Sequence, residues 1–118
     1  MKVHDIEERA FAFACRVIEM EICIATTREV KPNALNQVTS SATAIGANLE
    51  EARGAQTRAD FHAKIHISLK EARESKYWLR IIAKASRMPP KRFEALIQEA
   101  GEIIAILTTI AKKTNPDR

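Results

Sequence analysis

The chain has 118 residues, 46% of them hydrophobic and 29% charged. That is enough to bury one core without disulfide or metal staples, and too apolar for a disordered tail. The net charge of +4 is modest, and three glycines, four prolines and 5% aromatics leave few places to turn, so a few long helices are expected. Charges interrupt every apolar run well before the ~18 residues of a membrane span, and Met1-Lys-Val-His-Asp5 lacks an apolar signal core, so neither a membrane association nor export is expected.

Asp5, with Glu8 three residues on, reads as a capping box opening helix 1, over about 5–26. Ile6, Ala10, Phe13, Val17, Met20 and Ile24 recur at 4-3-4-3-4 spacing. A second line, Phe11, Ala14, Ile18, Ile22 and Ala25, widens the apolar arc to roughly 200° at about 100° per residue. A single core needs a stripe little wider than about 100°, so helix 1 is expected to bury a second face against another subunit. Cys15 and Cys23 lie on this helix, roughly 12 Å apart along its axis, too far to bond to each other. Two unpaired thiols suit a reducing cytoplasm.

Lys31-Pro32-Asn33 breaks the chain before helix 2, over 32–53. Its core line is Leu35, Val38, Ala42, Ile45, Leu49 and Ala52, its back carries the small residues Ser40, Ala44 and Ala47, Gly46 suggests tight packing, and Gly54 supplies the stop. Thr57 with Asp60 opens helix 3, over 57–86, with a core line Phe61, Ile65, Ser68, Ala72, Ser75, Leu79 and Ile82 and a flank through Ile67, Glu71, Glu74, Trp78, Ile81 and Ala85. Met88-Pro89-Pro90 separates it from helix 4, over 90–113, which carries Phe93, Leu96, Ala100, Ile103, Leu107 and Ile110. All four keep a repeat near 3.5 and are joined by short loops. The fold class expected is an all-α, antiparallel up-down-up-down four-helix bundle filling the chain as a single domain.

Di-iron bundles need Glu-x-x-His on two helices, and no glutamate here has a histidine three residues on. Glu71 and Glu74 read as partly buried structural carboxylates bonded to Lys64, serine or arginine partners. His62 and His66 have the i, i+4 spacing that can share a metal, but no third ligand is evident and basic residues crowd the face, so no metal or other cofactor is expected. No phosphate loop, Ser-His-acid or Cys-His arrangement is legible; the chain is not expected to be an enzyme.

Charge gives the clearest asymmetry. Residues 53–92 hold eleven Lys/Arg against three Asp/Glu, a net +8 that leaves −4 on the remainder. Lys70, Arg73, Lys76, Arg80, Lys84 and Arg87 fall within an arc of roughly 120° on a helical wheel, turned away from the core line. Such a ridge matches a phosphate backbone. The plainer alternative is a solvated face, partly neutralised by acidic helices nearby.

The run Gln37-Val-Thr-Ser-Ser-Ala-Thr-Ala-Ile-Gly-Ala-Asn48-Leu-Glu-Glu-Ala52, followed by Asp60-Phe61, Lys64, Ile67, Lys70-Glu-Ala-Arg-Glu74 and Tyr77-Trp-Leu-Arg80, resembles the 23S rRNA intervening-sequence protein family of bacterial four-helix bundles. The likeness is strong in helices 2 and 3 and rests on pattern alone in helices 1 and 4. Such proteins are similar to the accessory protein of diversity-generating retroelements, a homopentameric barrel that binds nucleic acid and a reverse transcriptase. The resemblance therefore implies a homopentameric ring, RNA or DNA as a partner, and a reverse transcriptase or other protein as a further one. It supplies no catalytic residues, and Asn48, Glu50, Glu71 and Glu74 match polar positions of the family that read as structural. Together these features predict a non-enzymatic oligomeric accessory protein using the basic face of helix 3; the alternative is a protein-protein scaffold or adaptor with no nucleic-acid role.

Overall fold

Proline and threonine write three of the four helix starts. α2 (Pro32–Arg53) and α4 (Pro90–Thr114) carry proline in the first turn, where its missing N–H has no helical partner to lose. α3 (Arg58–Ala85) follows Thr57, whose hydroxyl accepts the Asp60 N–H at 3.0 Å. α1 (Val3–Ala25) corrects the sequence reading. The backbone is already helical before Asp5, so this carboxylate lies inside the first turn, where it meets the helix dipole instead of capping it.

The helix ends differ from expectation in two places. Gly54 keeps a negative φ of −93°, so it does not stop α2 by a left-handed turn. The last turn tightens instead, with Gly54 N–H bonding Glu51 O at 3.1 Å and Ala55 N–H bonding Ala52 O at 3.0 Å. α3 ends at Ala85, because Ser86 swings to an extended ψ of 149° while its N–H still bonds Ile82 O. Arg87 is therefore in the turn and not on the helix.

The structure, a computed structural model, describes residues 3–117. Each helix packs on the next in chain order and α1 closes against α4, giving an antiparallel four-helix bundle 47 Å long and about 20 Å wide. The inward lines are those the spacing marks. Ile6, Phe13, Val17 and Ile24 of α1, Val38, Ile45 and Leu49 of α2, Ile65, Leu79 and Ile82 of α3, and Phe93, Ile103 and Leu107 of α4 are fully buried. Leu69 joins them, while Phe61 packs only at the margin. Near the end of α4, Ala111 takes the inward place and Ile110 is half-buried, the drift a 3.6-residue helix shows against a 3.5 repeat.

The seams are not alike. Between α2 and α3, small residues bring the backbones close, the Ser75 hydroxyl donates to Ser41 at 3.0 Å, and the Ser68 hydroxyl donates to Ile45 O at 2.9 Å, so the three buried serines are satisfied, while the buried Thr39 hydroxyl has no partner among the described residues. The α1–α4 seam is thinner. Arg9 reaches across it to Glu99 at 2.6 Å and Glu102 at 3.0 Å. At one end, the Glu29 carboxylate accepts from the Ser86 hydroxyl and the Arg87 N–H, tying the α1–α2 turn to the α3–α4 turn. At the other, Arg58 donates to the carbonyls of Lys113 and Thr114, the negative end of α4.

Candidate nucleic-acid interface

With its core line turned inward, α3 has no choice about where its long cations go. Lys70, Arg73, Arg80 and Lys84 are exposed, and Lys76 is half-buried, leaning over α4 beside Gly101. Arg87, placed on the helical ridge by the wheel, instead leaves the helix with the extended Ser86; it is exposed in the turn, its backbone N–H on Glu29. Five of the six thus form a row along one face, and the sixth continues it around the end of the bundle.

Among the described residues, some cations are held by acids and this row is not. Arg9 holds two glutamates of α4, Arg53 lies 3.5 Å from Glu7, and Lys64 lies 3.0 Å from Glu51. Among the described residues, none of the six basic groups has a carboxylate within ion-pairing distance. Their charge stays uncompensated at contact range, which is what a phosphate would require.

The fold adds cations that a wheel of one helix cannot show. Residues 26–32 and 84–92 meet at one end of the bundle and hold six basic residues against one acid. Arg28, Lys31, Lys91 and Arg92 there are exposed. Arg28 also adopts a left-handed φ of 58° at the α1–α2 turn. Sequence reasoning also passed over Tyr77, 56% exposed and, at about 100° per residue, inside the basic arc between Lys84 and Lys70. Extending the wheel to uncharged residues would have found it.

A second surface lies on α1. Phe11 is 71% exposed, Ile22 61% and Ile18 36%, so the second apolar line is uncovered within one chain. Phe11, Ala14, Cys15 and Ile18 line a groove of roughly 540 Å³ with Thr43, Gly46 and Ala47 of α2. A methyl at Gly46 would meet Ala10 Cβ at 3.7 Å and Phe11 N at 4.0 Å, so the helices approach closely but not beyond ordinary contact. Cys15 and Cys23 are exposed and free.

Other candidate groups have structural surroundings. The rings of His62 and His66 meet edge to face at 4.5 Å, and His62 Nδ1 lies 3.4 Å from the Thr114 hydroxyl. Among the described residues no three His, Cys, Asp or Glu side chains come together as a metal would need. The expected partners of Glu71 are corrected: Lys64 turns to Glu51, and Glu71 lies within electrostatic range of Glu74. Burial, then the charge of Glu74, raises the Glu71 carboxyl above its ordinary range against a smaller opposite pull from Lys70. Among the described residues no helix is long and apolar enough to cross a membrane.

The sequence profile of the 23S rRNA-intervening sequence protein family matches residues 2–109, so the likeness extends beyond α2 and α3 into α1 and most of α4. The fold is similar to the crystal structure of a protein of unknown function from the S23 ribosomal protein family of Bacteroides thetaiotaomicron VPI-5482. That match has 32% identity and a TM-score of 0.87, covering 95% of this chain and 99% of the other. No curated protein shows significant similarity to the chain.

Proposed function

We propose that this chain, which belongs to the 23S rRNA-intervening sequence protein family, is a non-enzymatic, self-associating accessory protein that holds RNA or DNA phosphates on the outer face of α3. The observation that carries the reading is the row Lys70, Arg73, Lys76, Arg80 and Lys84, continued by Arg87, with no carboxylate in ion-pairing range among the described residues. A row of this kind recognises charge and spacing, not base edges, so binding is expected to be nearly independent of sequence and to weaken steeply with salt. Replacing Arg73, Arg80 and Lys84 with glutamate removes three phosphate contacts. For a single strand, that lowers the slope of log affinity against log salt by about 2. Circular dichroism should show unchanged helicity, since Arg73, Arg80 and Lys84 are exposed. Unchanged affinity in the triple variant sinks the α3 reading.

The exposed apolar line of α1 supports a second component, contact with another protein copy. The arrangement proposed is a ring of five, cytoplasmic as the free thiols suggest. Light scattering checks it: the wild type should exceed the monomer mass, and Phe11→Glu with Ile22→Glu should return it to monomer. The competing adaptor reading gives this face to a different protein, such as a reverse transcriptase, and leaves α3 merely solvated. A monomer that shifts no labelled RNA or DNA at low salt would favour it.

A further inference from the structure

Resting on the α3 reading above, we infer that the strand it holds is single-stranded, with one unpaired base stacked on Tyr77 and the neighbouring phosphates on Arg73, Arg80 and Lys84. Tyr77 is the aromatic ring within the basic arc. Arg73 precedes it by one helical turn, Arg80 follows by one and Lys84 by two, so cations flank the ring on both sides along the axis. The ring is 56% exposed. Trp78 meets it edge to face at 5.7 Å, a favourable aromatic arrangement. Beside it, Tyr77, Arg80, Ile81, Ala83, Lys84 and Ile97 line an open depression of roughly 570 Å³ between α3 and α4. Its floor is apolar and its rim cationic, the chemistry a nucleotide presents in reverse: a flat apolar base joined to an anion.

The strand class follows from what the ring needs. A duplex buries the faces of its bases and offers only phosphates to a helix ridge, so the exposed tyrosine would gain nothing from it. A single strand exposes both, and base–aromatic stacking tolerates any base because each has a π face. From Lys70 to Lys84 the ridge runs about 21 Å, long enough for several nucleotides. An acidic peptide would satisfy the cations but leave the ring without a partner of matching shape.

The test uses the full chain with labelled 12-mers of riboadenylate and deoxyadenylate and a 12-base-pair duplex, followed by anisotropy at low salt. Quenching of Trp78, the single tryptophan, serves as the stacking signal. Both single strands should quench Trp78, and Tyr77→Ala should weaken them about tenfold or more while leaving duplex affinity unchanged; Tyr77→Phe should restore single-strand binding. Ribose and deoxyribose strands binding alike places recognition in base and phosphate, whereas a preference for one assigns the natural ligand to that class. Equal binding of duplex and single strand with no effect of Tyr77→Ala overturns the stacking inference alone. Failure of every probe to bind overturns it together with the α3 reading.

Discussion

On α1, the residues about 120° around the helix from the core line are Phe11, Ile18 and Ile22; on α3, the residues at a similar offset are Arg73, Arg80 and Lys84. The two helices run parallel to each other and sit diagonally across the bundle, since each packs on α2 and α4 and not on the other. The α1 face leans over α2, forming one groove, and the α3 face leans over α4, forming another. Two helices built on the same inward repeat thus carry opposite chemistry on opposite sides. The inward line answers only to packing, while the outward line is free to differ, leaving one face apolar and the other cationic.

The sharpest break of that contrast lies within α1 itself. Phe13 is fully buried and Phe11 is 71% exposed. Phe13→Ala will lower stability by about 3–5 kcal/mol, the transfer and cavity cost of a buried phenylalanine. Phe11→Ala will change monomer stability by less than about 0.5 kcal/mol. Urea unfolding of both variants at low protein concentration reads the difference directly. Similar losses in the two would mean that the outer line is part of the monomer's own core.

Glycines beside the two faces give the next effect. Gly46 floors the α1–α2 groove and Gly101 sits under Lys76; neither has a positive φ, and an added methyl would meet Ala10 Cβ at 3.7 Å or Lys76 Nζ at 3.5 Å. Gly46→Ala and Gly101→Ala should each stabilise the monomer by about 0.5–1 kcal/mol in thermal unfolding. If Gly46→Ala also weakens self-association while Gly101→Ala does not, the groove is the side that meets a neighbour.

The thin α1–α4 seam gives a smaller and pH-dependent effect. Arg9→Met removes contacts to Glu99 and Glu102, partly exposed pairs whose contribution water largely screens. The Arg9 hydrogen bond holds the Glu102 carboxyl below its ordinary range. A carboxylate with a lowered folded pKa stabilises above its unfolded value and loses that contribution as pH falls through the folded one. The wild type's advantage over Arg9→Met should therefore be full at neutral pH and shrink below about pH 4.5, the unperturbed value. An advantage that persists in acid assigns it to packing of the arginine stem instead.

Four apolar lines, the Thr57 cap and the proline starts were legible because local spacing and backbone chemistry decide them. Arg87 was misplaced because nothing on a wheel says that Ser86 will turn extended. Ile110 yielded to Ala111 because a strict 3.5 repeat ignores the drift of a straight helix. The cations gathered by the two turns, Arg28 and Lys31 with Lys91 and Arg92, depend on which loops meet in space, and the Glu29 contact that joins them spans 57 residues. Tyr77 was within reach of the sequence and was lost by following charge alone.

The mildest test concerns the carboxyl beside the basic row. Burial and Glu74 raise the Glu71 carboxyl above its ordinary range, so the folded state binds this proton more tightly than the unfolded chain does. Its sign is opposite to that of Glu102: the favourable contribution is present below the unfolded value near 4.5 and is lost as pH rises through the folded one. At neutral pH the charge of Glu71 beside Glu74 is a mild burden, and Glu71→Gln keeps the shape without the charge. It should raise stability by a few tenths of a kcal/mol at pH 7, less than a fully buried charge would give because water still screens the site. The gain should vanish near pH 4, where Glu71 is already protonated. A loss of stability at pH 7 would show instead that the carboxylate answers the field of Lys70 and the row behind it, making the basic face part of what holds α3 in place.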